Sequence, residues 1–263
     1  MLHRILALLL LTLPLLAVAH PEDEFCLPGQ PGIDPALCRA IAALQQSDVG
    51  SADTVLQPLT DEAGNVRGFW STFTLYTSIG IEHILPGGLD HILFVIALCL
   101  ASTRVRALVI QISTFTVAHT ATLGLAGAGV IAPPAAIVEP LIAATIAFVA
   151  VENLFFKDIN RWRPLIVFGF GLVHGLGFAG FFGELGLPPN QFWSALLGFN
   201  LGVEIGQLSV VAVVVLLSTV LLRAMRSLPN ADAIFRRWLV VPASLGIALT
   251  GAWWAVSRVM SAA

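Results

Sequence analysis

Residues 81–91 read IEHILPGGLDH and lie within a long apolar part of the chain. This segment carries His83, Asp90 and His91 on the two sides of a Pro-Gly-Gly break at 86–88. Ionisable side chains are costly to place in a bilayer, so inside a membrane span they are candidates for function. Pro and Gly interrupt helices at membrane depth, where transporters often bind ions. The segment therefore predicts a broken membrane-spanning helix that carries part of a functional site.

The composition places the whole chain in the membrane class. Hydrophobic residues make up 57% of the 263 residues and charged residues only 11%, whereas soluble domains carry about 25% charged residues. We predict an all-α fold, a polytopic bundle of about six transmembrane helices in residues 69–263, embedded in a lipid bilayer. The predicted spans are 70–101 with its break, 105–126, 135–155, 165–185, 192–222 and 238–258, each long enough to cross. Nucleic acid is not an expected partner, since the chain has no basic stripe with interleaved aromatic residues.

The first 19 residues have the pattern of a cleaved signal peptide. Arg4 precedes an apolar core, and Ala17-Val18-Ala19 provides a small-residue cleavage site. The alternative is an uncleaved first transmembrane helix. Cleavage would leave His20 at the new N-terminus, where it either chelates copper or is simply solvated.

Residues 20–68 form a polar, acidic segment that we predict to be extracytoplasmic. Cys26 and Cys38 lie in this segment, and an oxidising compartment favours a disulfide between them. The alternative is a metal site built on the two thiols, although no Cys/His pair at finger spacing is nearby.

Basic residues mark the side of the membrane on which each loop lies. They cluster after the first, third and fifth predicted spans, whereas the loops 127–134 and 186–191 have none. The positive-inside rule therefore places the three basic loops in the cytoplasm. The N-terminal segment and the C-terminus are then outside, as expected for a protein of the bacterial inner (cytoplasmic) membrane.

Polar side chains inside the predicted spans form a candidate metal site. The proposed ligands are His83, Asp90, His91, His119, His174 and Glu204. Possible second-shell or pathway residues are Glu139, Glu152, Asn153, Asn200 and Gln207. We expect the first three ligands to receive an ion at the broken helix and His119, His174 and Glu204 to form a midplane site. Asp90 is also a candidate for orienting an imidazole of another helix.

Each of these residues also has an explanation without a metal. A single intramembrane His is often hydrogen-bonded to a neighbouring helix, and Asn or Gln often joins helices. Glu139 and Glu152, near the ends of their span, are then in contact with water. Four His and at least two deep carboxylates together exceed what packing requires. Imidazole and carboxylate suit Ni²⁺, Co²⁺, Zn²⁺ or Cu²⁺, and the lack of Cys and Met clusters argues against Cu⁺.

Several motifs together resemble a known family. HILPGGLDHILF, FTVAHTATL, VEPLIAATIAFVAVENL, FGLVHGLGFAG and FNLGVEIGQL, over about residues 70–225, are similar to the HupE/UreJ membrane proteins. The resemblance implies a nickel or cobalt permease associated with hydrogenase or urease maturation, with metalloenzyme maturation proteins as partners. It assigns His83, Asp90 and His91 to the family's His and Asp-His element and His174 to its His-Gly element. Six residues separate His83 from Asp90, whereas five separate the corresponding residues in the better-known branch of the family. In this spacing the chain resembles a second branch.

The leading hypothesis is therefore a secondary transporter for Ni²⁺ or Co²⁺, in which Glu152 and Asn153 lie at the cytoplasmic exit or carry a coupling proton. The chain contains no Walker A sequence, so ATP hydrolysis by this chain is not expected. A second hypothesis is an intramembrane Zn²⁺-dependent hydrolase, although the HExxH motif of zinc proteases is missing. A third is a non-transporting metal-binding assembly factor for an envelope metalloenzyme.

Overall fold

The structure, a computed structural model, describes residues 66–102, 104–156, 162–178 and 191–261. The predicted signal peptide, most of the acidic segment, His20 and the Cys26–Cys38 pair lie outside these residues. In the described part of the predicted membrane domain, the regular elements are all helices. In chain order the elements are α1 (Phe69–Ile84), α2 (Leu89–Ala101), α3 (Val105–Gly127), α4 (Ala135–Phe155), α5 (Arg163–Gly177), α6 (Phe192–Ala224), α7 (Ala231–Phe235), a π-helical turn (Arg236–Val240) and α8 (Val241–Ser261).

The break predicted at residues 86–88 separates α1 from α2. The axes of the two helices differ in direction by 70°. Pro86 has no backbone N–H to continue the hydrogen-bond ladder of α1. Gly88 lies against the backbone carbonyl of His83, where a Cβ atom has no room. The chain therefore leaves α1 and starts α2 within four residues, which brings the end of one helix beside the start of the other.

Most of the predicted spans correspond to helices that are able to cross a membrane. Among the described residues, α3, α4, α6 and the stretch 231–261 are long and apolar enough, and the bent α1–α2 pair makes a fifth if it counts as one span. The remaining prediction, 165–185, falls on α5, a shorter apolar helix. Residues 179–190 lie outside the description. The structure is thus a helical membrane bundle, as predicted.

The described part of the bundle consists of three closely packed pairs of helices, which are α1–α6, α3–α5 and α4–α8, and α2 lies between these pairs. α1 runs parallel to α6, since Phe73 faces Gly198 and Ile84 faces Gly206. The glycines of α6 at 198, 202 and 206 let the two backbones approach, as small residues do in membrane helices. α3 runs parallel to α5, and α4 runs antiparallel to α8. The α2 helix contacts α4, α6 and α8.

One end of the bundle gathers the helix ends that adjoin the predicted cytoplasmic loops. The side-chain amide of Asn153 donates a hydrogen bond to the carbonyl of Ala97 at 2.7 Å. Arg236 donates to the carbonyl of Asn153 at 3.0 Å. Arg163, predicted as a loop residue, is buried and forms an ion pair with Glu152 at 3.4 Å. These contacts bring α2, the end of α4, the start of α5 and Arg236 together at one end, and the side of the membrane that this end faces stays a prediction.

Candidate metal centre

Three imidazoles from three helices converge inside the bundle. His83 belongs to the last turn of α1, His91 to the first turn of α2, and His119 to α3. Each offers one ring nitrogen, and these three atoms lie within 4.8 Å of one another. The three side chains are 7%, 6% and 0% exposed. We call them the three-His group, and within the described residues no other trio of His, Cys, Asp or Glu meets the same criterion.

Four of the six ring nitrogens of this group lack hydrogen-bond partners in the described part of the chain. Both nitrogens of His83, Nε2 of His91 and Nε2 of His119 are buried without a hydrogen bond. A buried polar atom without a partner is costly, and native proteins satisfy nearly all such atoms with protein, water or a ligand. Unpartnered imidazole nitrogens that point into one space are therefore suited to hold a metal ion.

Asn200 of α6 determines which nitrogen of His119 is available. Its side-chain amide donates to the carbonyl of Leu196 at 2.8 Å, so its oxygen faces Nδ1 of His119 at 2.9 Å. An amide oxygen only accepts, so His119 must donate from Nδ1. The lone pair of neutral His119 is then on Nε2, the unpartnered atom. Asn200, expected as a second-shell or pathway residue, thus orients one member of the group.

We expect Asn200→Ala to weaken metal binding about tenfold, because residues that orient a metal-binding His typically contribute that much. The matched control is Gln207→Ala on the same face of α6. Gln207 accepts a hydrogen bond from Thr116 at 3.5 Å and has no contact with the group among the described hydrogen bonds. Titration of both purified variants with Co²⁺, followed by visible absorption, measures the two affinities. Equal affinities in the two variants would contradict this role of Asn200.

His174 of α5 lies beside the group with a separate anchor. Its ring centroid is 5.0 Å from that of His91. The Thr145 hydroxyl donates to the carbonyl of Ile142 at 2.7 Å and accepts from Nε2 of His174 at 2.9 Å. The free lone pair of His174 is then on Nδ1, which is buried and unpartnered. Two sites were expected from the sequence, whereas the structure brings all four intramembrane His side chains together.

Four phenylalanine rings enclose these imidazoles. The ring centroids of Phe178 and His83 are 4.4 Å apart, and those of Phe115 and His91 are 5.8 Å apart. Phe94 packs on His174, and Phe199 stacks on both Phe178 and His119. The sequence analysis did not single out these residues. Helical spacing contains the signal, since Phe94 is three residues after His91, Phe115 four before His119 and Phe178 four after His174.

The structure places Asp90 with a cation rather than with the imidazoles. The guanidinium of Arg258 in α8 donates to both carboxylate oxygens, at 2.9 and 3.2 Å. Arg258 also donates to the backbone carbonyl of Glu139 at 3.1 Å. Arg258, at the end of the last predicted span, was not among the site residues predicted from the sequence. Asp90 is not a member of the three-His group.

The other predicted acids also lie apart from the three-His group. Glu204 was expected with His119 and His174, but its carboxylate accepts a hydrogen bond from Ser113 at 2.6 Å where α3 meets α6. Glu152 is paired with Arg163 at the far end of α4. Neither acid belongs to the trio of converging ligand atoms. Among the described residues, the converging ligand atoms of the centre therefore all belong to imidazoles, inside an aromatic enclosure.

The family described as HupE / UreJ protein matches residues 60–258. The chain belongs to the HupE/UreJ family. The resemblance predicted from its motifs is thereby confirmed. The HupE/UreJ match includes every helix from α1 to α7, nearly all of α8, and all four His side chains of the centre. Neither a curated protein nor a solved structure matches the chain.

The HupE/UreJ family is associated with nickel or cobalt uptake, or with accessory roles. It is a permease and accessory family and is not known for enzymes. The matched region coincides with the membrane bundle, so the family relation concerns the part of the chain that carries the imidazoles.

Proposed function

We propose that this protein is a permease for a divalent transition metal, Ni²⁺ or Co²⁺, and that the three-His group is its central binding site. The observation that carries the proposal is the convergence of three buried imidazole nitrogens within 4.8 Å at the break between α1 and α2. Imidazole suits Ni²⁺, Co²⁺, Zn²⁺ and Cu²⁺, and the association of the family favours the first two.

The way in which the ligands are held supports a carrier rather than a catalyst. Metal-binding His residues usually donate their second nitrogen to a carboxylate, carbonyl or water, which fixes the ring. Within the described residues only His119 of the trio has a partner of this kind, and both nitrogens of His83 are without one. Ligands that are only partly fixed favour exchange of an ion over its permanent retention. A permease needs such exchange, because it must release what it binds.

The charges around the centre support the same proposal. Neutral imidazoles leave the charge of a bound dication uncompensated, and the enclosing rings are apolar. Aromatic faces attract cations weakly, so the site offers an ion some stabilisation without a carboxylate among the three converging ligands. Moderate affinity follows, which is what transport requires. In this proposal the acidic segment 20–68 concentrates cations outside the cytoplasmic membrane, and metal moves inward.

The accessory roles of the family favour one further candidate, a non-transporting assembly factor for a metalloenzyme. Such a protein would bind metal at the same imidazoles and hold a partner protein, without ion flux. The hydrolase hypothesis has no support from the family relation. Measurement of flux separates the two remaining candidates.

The test is ion flux into proteoliposomes that contain the purified protein, screened with Ni²⁺, Co²⁺, Zn²⁺, Cu²⁺ and Mn²⁺. We expect saturable flux of Ni²⁺ or Co²⁺ in the wild type and loss of that flux in His91→Ala, because this variant removes one of three ligands. Metal binding without flux would favour the assembly factor. Equal flux in the wild type and His91→Ala would contradict the assignment of the site.

A further inference from the structure

The start of α2 is held by a residue from the opposite end of the described chain. Asp90 lies in the first turn of α2, directly before His91, and Arg258 lies in the last turn of α8. The guanidinium nitrogen that binds Asp90 is 2.9 Å from one carboxylate oxygen and 3.2 Å from the other. Both side chains are less than one-fifth exposed, at 18% for Arg258 and 17% for Asp90.

Arg258 is itself fixed by two further contacts. Its other terminal nitrogen donates to the carbonyl of Glu139 on α4 at 3.1 Å. Its guanidinium carbon lies 5.5 Å from the ring centroid of Trp254. Charge-assisted hydrogen bonds of a planar guanidinium are strong and directional, more so when they are shielded from water. The carboxylate of Asp90 is therefore held in one place relative to α4 and α8.

Apart from the Asp90–Arg258 pair, the first turn of α2 is held by backbone hydrogen bonds, from Gly88 to Ile84 at 3.2 Å and from Ile92 to Gly88 at 2.9 Å. Its N-cap residue is Gly88, and in the described chain no side chain caps this end. His91 projects from this turn into the three-His group, and its Nε2 atom has no hydrogen bond among the described residues. A shift of the turn would carry the imidazole away from His83 and His119.

We propose that Arg258 is a positioning residue for the metal centre: by holding Asp90 it fixes the first turn of α2 and aims His91 at His83 and His119. This inference rests on the proposed function of the three-His group as a metal site. Arg258 touches no ligand atom, but it links the three-His group to the antiparallel α4–α8 pair. A rearrangement of that pair would then alter the metal site through this one contact.

The test is the affinity of the purified full-length protein for Co²⁺, measured from the visible absorption of the bound ion. We expect Arg258→Gln to bind Co²⁺ about 10- to 100-fold more weakly, since outer contacts of metal ligands typically have effects of this size. Arg258→Lys keeps the positive charge but loses the fork of donors, so its Co²⁺ affinity should lie between those of the wild type and Arg258→Gln. The shape of the Co²⁺ spectrum should change in Arg258→Gln, because the geometry around the ion changes.

A double variant keeps the test valid if Arg258→Gln folds poorly because it leaves the Asp90 carboxylate unpaired. Asp90→Asn together with Arg258→Gln removes both charges. If Arg258 acts through Asp90, the double variant should bind Co²⁺ within about twofold of the weaker single variant, since coupled residues are not additive. A fully additive loss would overturn the proposed route through Asp90.

Arg236→Gln is the matched control. Arg236 also binds α4 through backbone carbonyls, those of Asn153 at 3.0 Å and Leu154 at 3.3 Å, but at the other end of that helix. We expect Co²⁺ affinity to be unchanged in this variant. An equal loss in Arg236→Gln and Arg258→Gln would overturn the inference, as would wild-type affinity in Arg258→Gln.

The outcomes for the inference and for the proposed function are distinguishable. Wild-type protein that binds Co²⁺ but shows no flux contradicts a permease, and the Arg258 comparison still decides the positioning role. Wild-type protein that binds none of the screened metals overturns both proposals. Wild-type binding together with an unchanged Arg258→Gln overturns the positioning role alone.

Discussion

Purified His119→Ala protein is expected to bind Co²⁺ or Ni²⁺ about 100-fold or more weakly than the wild type, because it loses one ligand of three. His119 is fully buried, and its Nε2 atom has no hydrogen bond in the described chain. It is also the member of the group whose orientation is fixed, through Asn200 at 2.9 Å. The measurement is titration with Co²⁺ followed by absorption, and with Ni²⁺ by calorimetry.

His174→Ala is the control for this prediction. His174 is as deeply buried, at 1% exposure, and its ring is 5.0 Å from that of His91. It stands outside the three-His group, and its Nε2 atom is bonded to Thr145. We therefore expect a clearly smaller loss, below the about 10- to 100-fold effect of a direct contact to a metal ligand, because the described hydrogen bond of His174 is to Thr145 and not to a member of the group. The comparison also controls for a general loss of packing, because both variants remove a buried imidazole.

An equal and large loss in both variants would contradict the three-ligand assignment and indicate a site of four imidazoles. Unchanged binding in His119→Ala would contradict a metal site at this place altogether. The monodispersity of each variant in detergent shows whether the bundle is intact, so that misfolding is not counted as loss of a ligand.

The four histidines of the candidate site could be identified from the sequence, but their assembly could not be predicted. A single ionisable residue in an apolar span is recognisable from the sequence as a candidate for function. The residues identified in this way were His83, His91, His119 and His174. Their meeting point depends on the 70° bend between α1 and α2. Ideal helical periodicity cannot be carried across such a break, so the sequence analysis separated the two His residues flanking the break from the other two.

The partners of the carboxylates could not be predicted for a related reason. Asp90 and Arg258 are 168 residues apart, and Ser113 and Glu204 are 91 apart. Nothing local in the sequence links such pairs, because helix packing alone brings them together. Asp90 and Glu204 were therefore predicted as metal ligands and Glu152 as a pathway residue, whereas the structure gives all three acids protein partners.

Small residues, in contrast, were informative from the sequence alone. Glycines are frequent in the predicted span 165–185, and small residues of this kind predict close helix packing around His174. In the structure a Cβ atom on Gly171 would be 2.5 Å from the carbonyl oxygen of Phe115 and 2.9 Å from the Cβ atom of Ala118, both on α3. Gly169, on the same helix, has nothing within 4 Å of the equivalent position. The sequence could not distinguish these two glycines.

This difference leads to the second large prediction. Gly171→Ala should destabilise the bundle by about 1–3 kcal/mol, because a methyl group must be inserted against a backbone carbonyl in a packed interface. Gly169→Ala adds the same methyl group where space is open, and it should leave stability unchanged or raise it by about 0.5–1 kcal/mol, since Ala favours a helix over Gly. Thermal unfolding of both variants in one detergent, followed by loss of monodispersity, measures the difference.

The effect of Gly171→Ala should extend to the metal centre. Phe115 packs against His91, His119 and His174, so displacement of α5 from α3 moves the aromatic enclosure together with His174. We therefore expect weaker Co²⁺ binding in Gly171→Ala even at temperatures where the protein remains folded, and wild-type binding in Gly169→Ala. Loss of stability with unchanged metal affinity would show that the enclosure tolerates movement of α5. Equal stability of the two variants would contradict the close α3–α5 contact from which the geometry of the centre is derived.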